Sequence, residues 1–367
     1  MNNDRQQQDF AFASECWSHS GRMPNFTAMI LVTGGTGLVG SHLLLELVQG
    51  TDSIRAIKRS SSSLKAIEWL FEAKGMLHLF EQIQWVDGDI TDIFSLEDAM
   101  QGVSHVYHCA ALVSFESKDT PILMKINAEG TSNVVNAALE ASIEKLCYVS
   151  STAAVGKGED GELLNENTKW KSSFANSGYA ISKYIAEREV WRGIEEGLNA
   201  VMVNPCLVIG SGEWGKSSTK MFASAWKGMA FYTLGSNAFV DAGDVAYSMV
   251  QLMKSAIHSE RFLVVSENKS YKEFFQMVTR LLGKQVPAKK AHRWMTELAW
   301  RLDALLGYLG KTPFITKAMA RSSQQNSRYS NAKIIEAIGF EFKPVEESVK
   351  ETCELFLQQI NQEPTPS

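Results

Sequence analysis

Met29-Ile30-Leu31-Val32-Thr33-Gly34-Gly35-Thr36-Gly37-Leu38-Val39-Gly40 decides the fold. Its first half is an apolar run of strand length, and glycines follow at once. The leucines between Ser41 and Val48 then recur as on a helix with one face toward a sheet. Strand, glycine turn and helix in that order set backbone N–H groups and a helix N-terminus against a pyrophosphate. Gly34 permits the tight turn, Gly37 lets backbone approach phosphate, and Gly40 lets helix and strand pack closely. The spacing is GxxGxxG, so the shorter first interval of the plain dinucleotide fingerprint is absent. The reading is a nucleotide cofactor seated on Thr33, Gly34, Gly37, Leu38, Val39 and Gly40. A purely structural turn is the alternative.

Further strand-like runs follow at Ser53–Lys58, Ile83–Val86, Val103–Cys109, Leu146–Val149, Ala200–Val203 and Arg261–Val265, separated by helical patterns. Strands alternating with helices predict an α/β, Rossmann-type doubly wound parallel sheet. Residues just past the strand ends are then the candidate site. After the second strand stand Arg59 and Ser60, with no acid until Glu68. An acid there would take the ribose 2′-OH of NAD, whereas a basic residue and small hydroxyls suit the 2′-phosphate of NADP. NADP is therefore favoured, with NAD the alternative. Asp89, followed by Ile90, is placed to accept from the adenine amino group or to cap the next turn. Ala110 and Ala111 let backbone pass close to the cofactor ribose, and Phe115 in the loop beyond is a candidate substrate contact.

Asn127 interrupts a helical stretch near Gly130, where it either bonds backbone or holds a proton-relay water. Ser150, Ser151 and Thr152 end the fifth strand, where open α/β folds keep their sites. Tyr179 and Lys183, four residues apart, share one helix face. An ammonium beside a phenol favours the phenolate, which would bring Tyr179 toward neutral pH as an acid or base. Ser151 would polarise the same carbonyl oxygen, and Lys183 would also touch the ribose. Pro205 is read as fixing a turn where the chain leaves the nucleotide domain, and as a flat wall along the nicotinamide.

The chain has 367 residues, 45% of them hydrophobic and 21% charged, enough for one large core or a domain with a smaller lobe. A net charge of −5 offers no global field for nucleic acid. Five cysteines at irregular spacing form neither a C-x-x-C nor an obvious metal set, so no metal is expected and a reducing, cytoplasmic setting fits. No continuous 18-residue apolar stretch occurs, so no spanning segment is expected. The expected organisation is a flexible leader (1–25), a nucleotide-binding domain (26–205, with 239–265 returning to it), a mostly helical substrate lobe (206–238 and 266–360) and a disordered tail (361–367). Phe239–Ala246 reads as an extended piece capping a helix, with Asp244 near its N-terminus. Ala291–Leu309 is the most apolar helical region, read first as domain core. A lid or oligomer face and a membrane-surface helix are the alternatives, and its mixed charges argue against the last.

TGGTGLVG at Thr33–Gly40, Asp89 after its strand, Ser151 and YAISK at Tyr179–Lys183 together resemble the extended short-chain dehydrogenase/reductase superfamily, the NAD-dependent epimerase/dehydratase group. FVDAGDVA from Phe239 and the Tyr329–Gly339 segment fit too, and the resemblance spans roughly Ala28 to Phe356. It implies a catalytic triad of Ser151, Tyr179 and Lys183, with Asn127 as the family's helix-kink asparagine. Thr152-Ala153-Ala154 replaces the Thr-Asp-Glu run usual in sugar-nucleotide 4,6-dehydratases, which counts against water elimination. Lys58, Arg59 and the apolar helix around Trp294–Leu306 look more like the dihydroflavonol reductase and 3β-hydroxysteroid dehydrogenase side. The resemblance also implies a homodimer through the helices carrying Asn127 and Tyr179.

The first functional reading is an NADP(H)-dependent oxidoreductase acting on a small-molecule carbonyl or alcohol. The second is a nucleotide-sugar epimerase with tightly bound cofactor, using Lys216 and Lys220 for the diphosphate. The third is a non-catalytic scaffold, against which the intact triad argues.

Overall fold

Predominantly apolar runs form the strands of a large sheet in the computed structural model, which describes residues 29–50, 53–173, 176–308 and 316–362. The expected leader lies outside the described residues. The strands are β1 Met29–Thr33, β2 Ile54–Lys58, β3 Gln84–Asp87, β4 Val103–His108, β5 Lys145–Val149 and β6 Ala200–Pro205. Short-range helices connect them: α1 Leu38–Leu47, α2 Lys65–Ala73, α3 Ile93–Ala99, α4 Gly130–Glu140 and α5 Gly178–Glu195. Beyond β6 come β7 Leu207–Ile209, α6 Lys220–Trp226, β8 Ser236–Asp241, α7 Ala242–Lys254 and β9 Glu260–Val264.

The large sheet has seven strands in the order β9-β6-β5-β4-β1-β2-β3, every neighbouring pair parallel. Parallel strands covered on both faces bury every residue, as β5 and β6 do. On one face Leu43, Leu44 and Leu47 of α1 pack with Met249 and Leu252 of α7 against Val32, Val201 and Val203. On the other, Leu96, Val134, Val135, Ala186 and Val190 cover Leu31, Val106 and Met202. The chain winds from β1 outward to β3, then crosses back to β4. The loops after β1 and β4 therefore diverge and open a crevice at the switch point.

Two glycines make that crevice narrow. Gly34 has φ +70°, and a Cβ on it would lie 2.5 Å from the Ala110 nitrogen. A Cβ on Gly40 would lie 2.1 Å from the Gly34 carbonyl oxygen, so α1 packs on the turn only without a side chain there.

The lobe has its own core. β7 pairs in parallel with β8, and β8 pairs antiparallel with β10 Glu267–Ser270. Behind this three-stranded sheet, α6, α8 Tyr271–Leu281 and α12 Val345–Gln362 bury Phe222, Phe239, Phe274, Val278, Val349 and Phe356. Between α8 and α12 lie α9 Arg293–Tyr308, α10 Lys317–Ser322 and α11 Ala332–Ile338.

Five expectations change. Pro205 makes no turn: it is the last residue of β6, opposite Val264. Pairing with β5 ends at Val203, so proline's missing N–H breaks no ladder bond there. Phe239–Asp241 belongs to the lobe sheet through β8, while α7 and β9 return to the large sheet. The cap of α7 is Asp241, which accepts from the Gly243 N–H; Asp244 instead accepts from the Lys343 N–H, and burial raises its carboxyl to about 6. Asn361 and Gln362, expected in the tail, complete α12. Finally α9 is not core: Trp294, Leu298, Leu302 and Leu305 are 67, 49, 53 and 61% exposed. The helix rests on α10, and among the described residues it is the side carrying Trp300 that packs there.

A buried polar cluster ties β6, β9 and α5 together. The Glu187 carboxylate accepts from Ser150 Oγ (2.7 Å), Asn204 Nδ2 (2.7 Å) and Arg261 Nη1 (2.6 Å). Arg261 also donates to the Glu166 carbonyl, and Glu166 Oε1 accepts from the Leu263 N–H, which fastens the long loop after Ser151. Arg261→Ala strands the Glu187 carboxylate and is expected to lower stability by about 3–5 kcal/mol. A denaturant titration reads that loss, and a shift within about 1 kcal/mol would show the pair to be unimportant.

Candidate active site

Gly37 is the N-cap residue of α1, exposed, with no side-chain cap and no acid in the first turn of the helix. The N–H groups of Leu38, Val39 and Gly40 are thus the unsatisfied donors of a helix start, in the position that suits an anion. Beside them Thr33 is anchored from below. Its Oγ1 lies 2.7 Å from His108 Nδ1 and accepts from the Ala110 N–H at 3.3 Å. His108 Nε2 lies 3.0 Å from Thr131 Oγ1. Burial pushes the His108 imidazole down to about 3, with Lys183 adding to the effect, so the ring is neutral and bridges two hydroxyls. The turn, the open face at Gly37 and the close backbone at Ala110 fit a dinucleotide.

Other cofactor candidates fall at the crevice with different roles. Asp89 caps the local turn: its Oδ1 accepts from both the N–H and the Oγ1 of Thr91 at 2.8 Å. Ile90 is core, 6% exposed and packed on Gly130, with its carbonyl bonded to Asn133. Ala110 is half-buried and Ala111 exposed. At the end of β2, Lys58 is held by Asp87 at 2.7 Å, whereas Arg59 and Ser60 are exposed and Arg59 has no ion pair among the described residues. Pro205 is fully in the sheet.

Ser151, Tyr179 and Lys183 come together where β5 ends against the start of α5. Ser151 caps a short turn over Thr152–Ala154 by accepting from the Ala153 N–H at 3.1 Å. Its backbone carbonyl is held by Asn204, a member of the Glu187 cluster. Ser177 caps α5, so Tyr179 lies in the first turn, beside Ser151, whose hydroxyl opposes the rise that burial gives the phenol. Phe115 meets the Tyr179 ring edge-on at 5.6 Å, which brings the expected substrate contact to the site. Asn127 sits in a wide helical turn, Met124–Glu129, just before α4. Its Nδ2 donates to the Leu112 carbonyl and Ser182 Oγ, and its Oδ1 accepts from the Leu112 N–H. Of the two readings for Asn127, the side chain takes the backbone-bonding one.

Lys183 departs from expectation. Its ammonium is 1% exposed and donates to Tyr148 Oη (2.7 Å) and the Val149 carbonyl (2.8 Å), not to Tyr179. Burial brings it down to about 7, partly offset by Glu187. Burial raises Tyr179 above the ordinary phenol value, with Ser151 opposing. The phenol is therefore an acid in its protonated form near neutral pH rather than a ready phenolate. His108, Thr131, Tyr148 and Glu187 were not singled out in the sequence. Each lies inside an apolar or helical run, and only the sheet order brings it under the site.

The match to known proteins agrees with this geometry. Residues 30–264 match the model of the NAD dependent epimerase/dehydratase family. A protein of Synechocystis sp. whose name proposes a dihydroflavonol 4-reductase is 28% identical over 332 residues, 89% of this chain and 93% of that protein. Sterol demethylase protein B of Methylococcus capsulatus is 29% identical over 261 residues, 70% of this chain and 75% of its own. The crystal structure of gox2253 superposes with a TM-score of 0.75 at 29% identity, covering 90% of this chain and 98% of that one. The chain thus belongs to the NAD-dependent epimerase/dehydratase family and is an NAD(P)-dependent enzyme of the extended short-chain dehydrogenase/reductase type.

Proposed function

We propose that this enzyme is an NADP(H)-dependent oxidoreductase that interconverts a small-molecule carbonyl and its alcohol. The placement of the Tyr179 phenol beside Ser151, where β5 ends against the start of α5, carries the reading. Two neighbouring hydroxyls, both protonated at neutral pH, can both donate to a carbonyl oxygen placed between them. Tyr179 delivers the proton to the oxygen as the carbonyl is reduced, and Ser151 holds that oxygen in place. The nicotinamide, when bound, supplies the hydride chemistry.

Lys183 acts on this pair from beneath. Tyr148 and Val149 use two of its N–H groups. The third is assigned to the cofactor ribose, and the charge stabilises the phenolate left after proton transfer. Arg59 and Ser60 are assigned to the 2′-phosphate of NADP because both are exposed at the end of β2. The names of the reductase relatives agree with this direction of chemistry. Lys216, considered for a sugar-nucleotide diphosphate, is paired with Glu213 at 2.7 Å, so the epimerase reading gains no support there.

Arg59→Ala is expected to weaken NADPH binding about ten- to a hundredfold while leaving NADH unchanged. Equal effects on the two cofactors, read by fluorescence titration, would remove the phosphate role. Tyr179→Phe is expected to lower carbonyl reduction by about 10²–10⁴-fold with NADPH affinity retained. Near-parental turnover across a carbonyl panel would unseat Tyr179 as the proton donor. Because Lys183 sits at about 7, reduction in the parent should decline as pH rises through that value. A charge that persists, as in Lys183→Arg, should move the decline to higher pH. An identical decline in both proteins would assign it to another group.

A further inference from the structure

The exposed face of α9 is not used by the chemistry above. Trp294, Leu298, Leu302 and Leu305 recur at intervals of four, four and three residues, which places all four on one stripe of the helix. They are 49–67% exposed, whereas the other large aromatic side chains among the described residues are mostly covered. The charge around the stripe is as unusual as its exposure. Between 284 and 321 the chain carries eight lysines and arginines against two acids, a net charge of +6 in a chain whose total is −5. Lys289, Lys290, Arg293, Arg301, Lys317 and Arg321 are exposed, whereas Glu297 and Asp303 are half-buried. Glu297 pairs with Arg301 at 2.9 Å and Arg321 at 3.7 Å and so offsets one positive charge, which leaves the face strongly basic. Lys289 and Lys290 pair in register with Phe231 and Tyr232, which sets a second exposed aromatic, Phe231, beside the basic residues.

We propose that this face is a docking surface for an anionic lipid bilayer, with α9 lying in the interface and its stripe among the acyl chains. A tryptophan and three leucines on one side and basic residues around them are the two contributions such a helix needs. A second copy of the chain is the weaker fit, because it would oppose two surfaces of the same strong positive charge. Within the helix alone the charges are mixed, which by itself argues against a membrane. The wider segment reverses that argument, since the basic residues come largely from the strand before α9 and the helix after it. No helix among the described residues is long and apolar enough to cross a bilayer, so the contact is peripheral.

Flotation of the full-length protein with vesicles tests this. Binding is expected to vesicles of phosphatidylcholine mixed with phosphatidylglycerol, and not to phosphatidylcholine alone, and to fall with added salt. Lys289→Glu with Lys290→Glu should weaken binding by about fivefold or more for each charge. Trp294→Ser with Leu298→Ser should abolish it, with an unchanged circular dichroism spectrum and thermal midpoint. Failure to float with either vesicle overturns the proposal, as does binding indifferent to both double variants. If the parent sediments as a dimer that the Trp294→Ser, Leu298→Ser variant dissociates, without vesicle binding, the face belongs to a second copy and the proposal falls. None of these readouts depends on which carbonyl compound, if any, the enzyme reduces.

Discussion

Backbone passes against backbone where Gly34 crosses Ala110, and the cofactor crevice exists because nothing larger than hydrogen stands between them. Adjacent parallel strands are fixed about 4.8 Å apart by their ladder, so the turns leaving β1 and β4 have little lateral freedom. The glycine turn must bend tightly away from β1, and α1 must start at once to present its N–H groups. Gly40 completes this by letting the helix sit on the Gly34 carbonyl. Beneath the turn, the neutral His108 bridges Thr33 and Thr131, tying the end of β1 to α4 through a ring that burial keeps uncharged. One steric condition at the switch point therefore determines where an anion can approach.

The chemical end of the crevice depends on a different constraint, the pairing of buried charge. Glu187 and Lys183 both lie on α5 and both enter the protein interior, where an unpaired ion is costly. Arg261, Ser150 and Asn204 satisfy the first, and Tyr148 with the Val149 carbonyl satisfies the second. Ser151 is consequently carried by a framework that is rigid from below, and Asn204 holds its carbonyl directly. Burial also divides the titrating groups, raising Tyr179 and lowering Lys183, so a protonated phenol stands over an ammonium that gives up its proton readily.

The lobe differs in kind. Its small sheet and the aromatic core around Phe222, Phe239 and Phe274 close over one end of the large sheet, yet α9 stays outside that core. One superfold hosts many chemistries, and the function lies in the site it carries rather than in the fold itself. Here the lobe also carries a strongly basic, apolar-faced surface on and around α9.

The linear sequence determined the alternation of strands and helices, the glycine turn, the end-of-strand position of Ser151 and the four-residue spacing of Tyr179 and Lys183. Those features are local, written in hydrophobic period and in residues whose backbone freedom is distinctive. The parallel seven-strand sheet followed from the alternation. Tertiary structure alone decided that Lys183 turns to Tyr148, that His108 stands under Thr33 and that Glu187 anchors Ser150, because these partners are 35, 75 and 37 residues apart and meet only across the sheet. It also decided the fate of α9. An apolar helix reads alike in sequence whether its stripe is covered or bare, and only the absence of a packing neighbour among the described residues distinguishes the two.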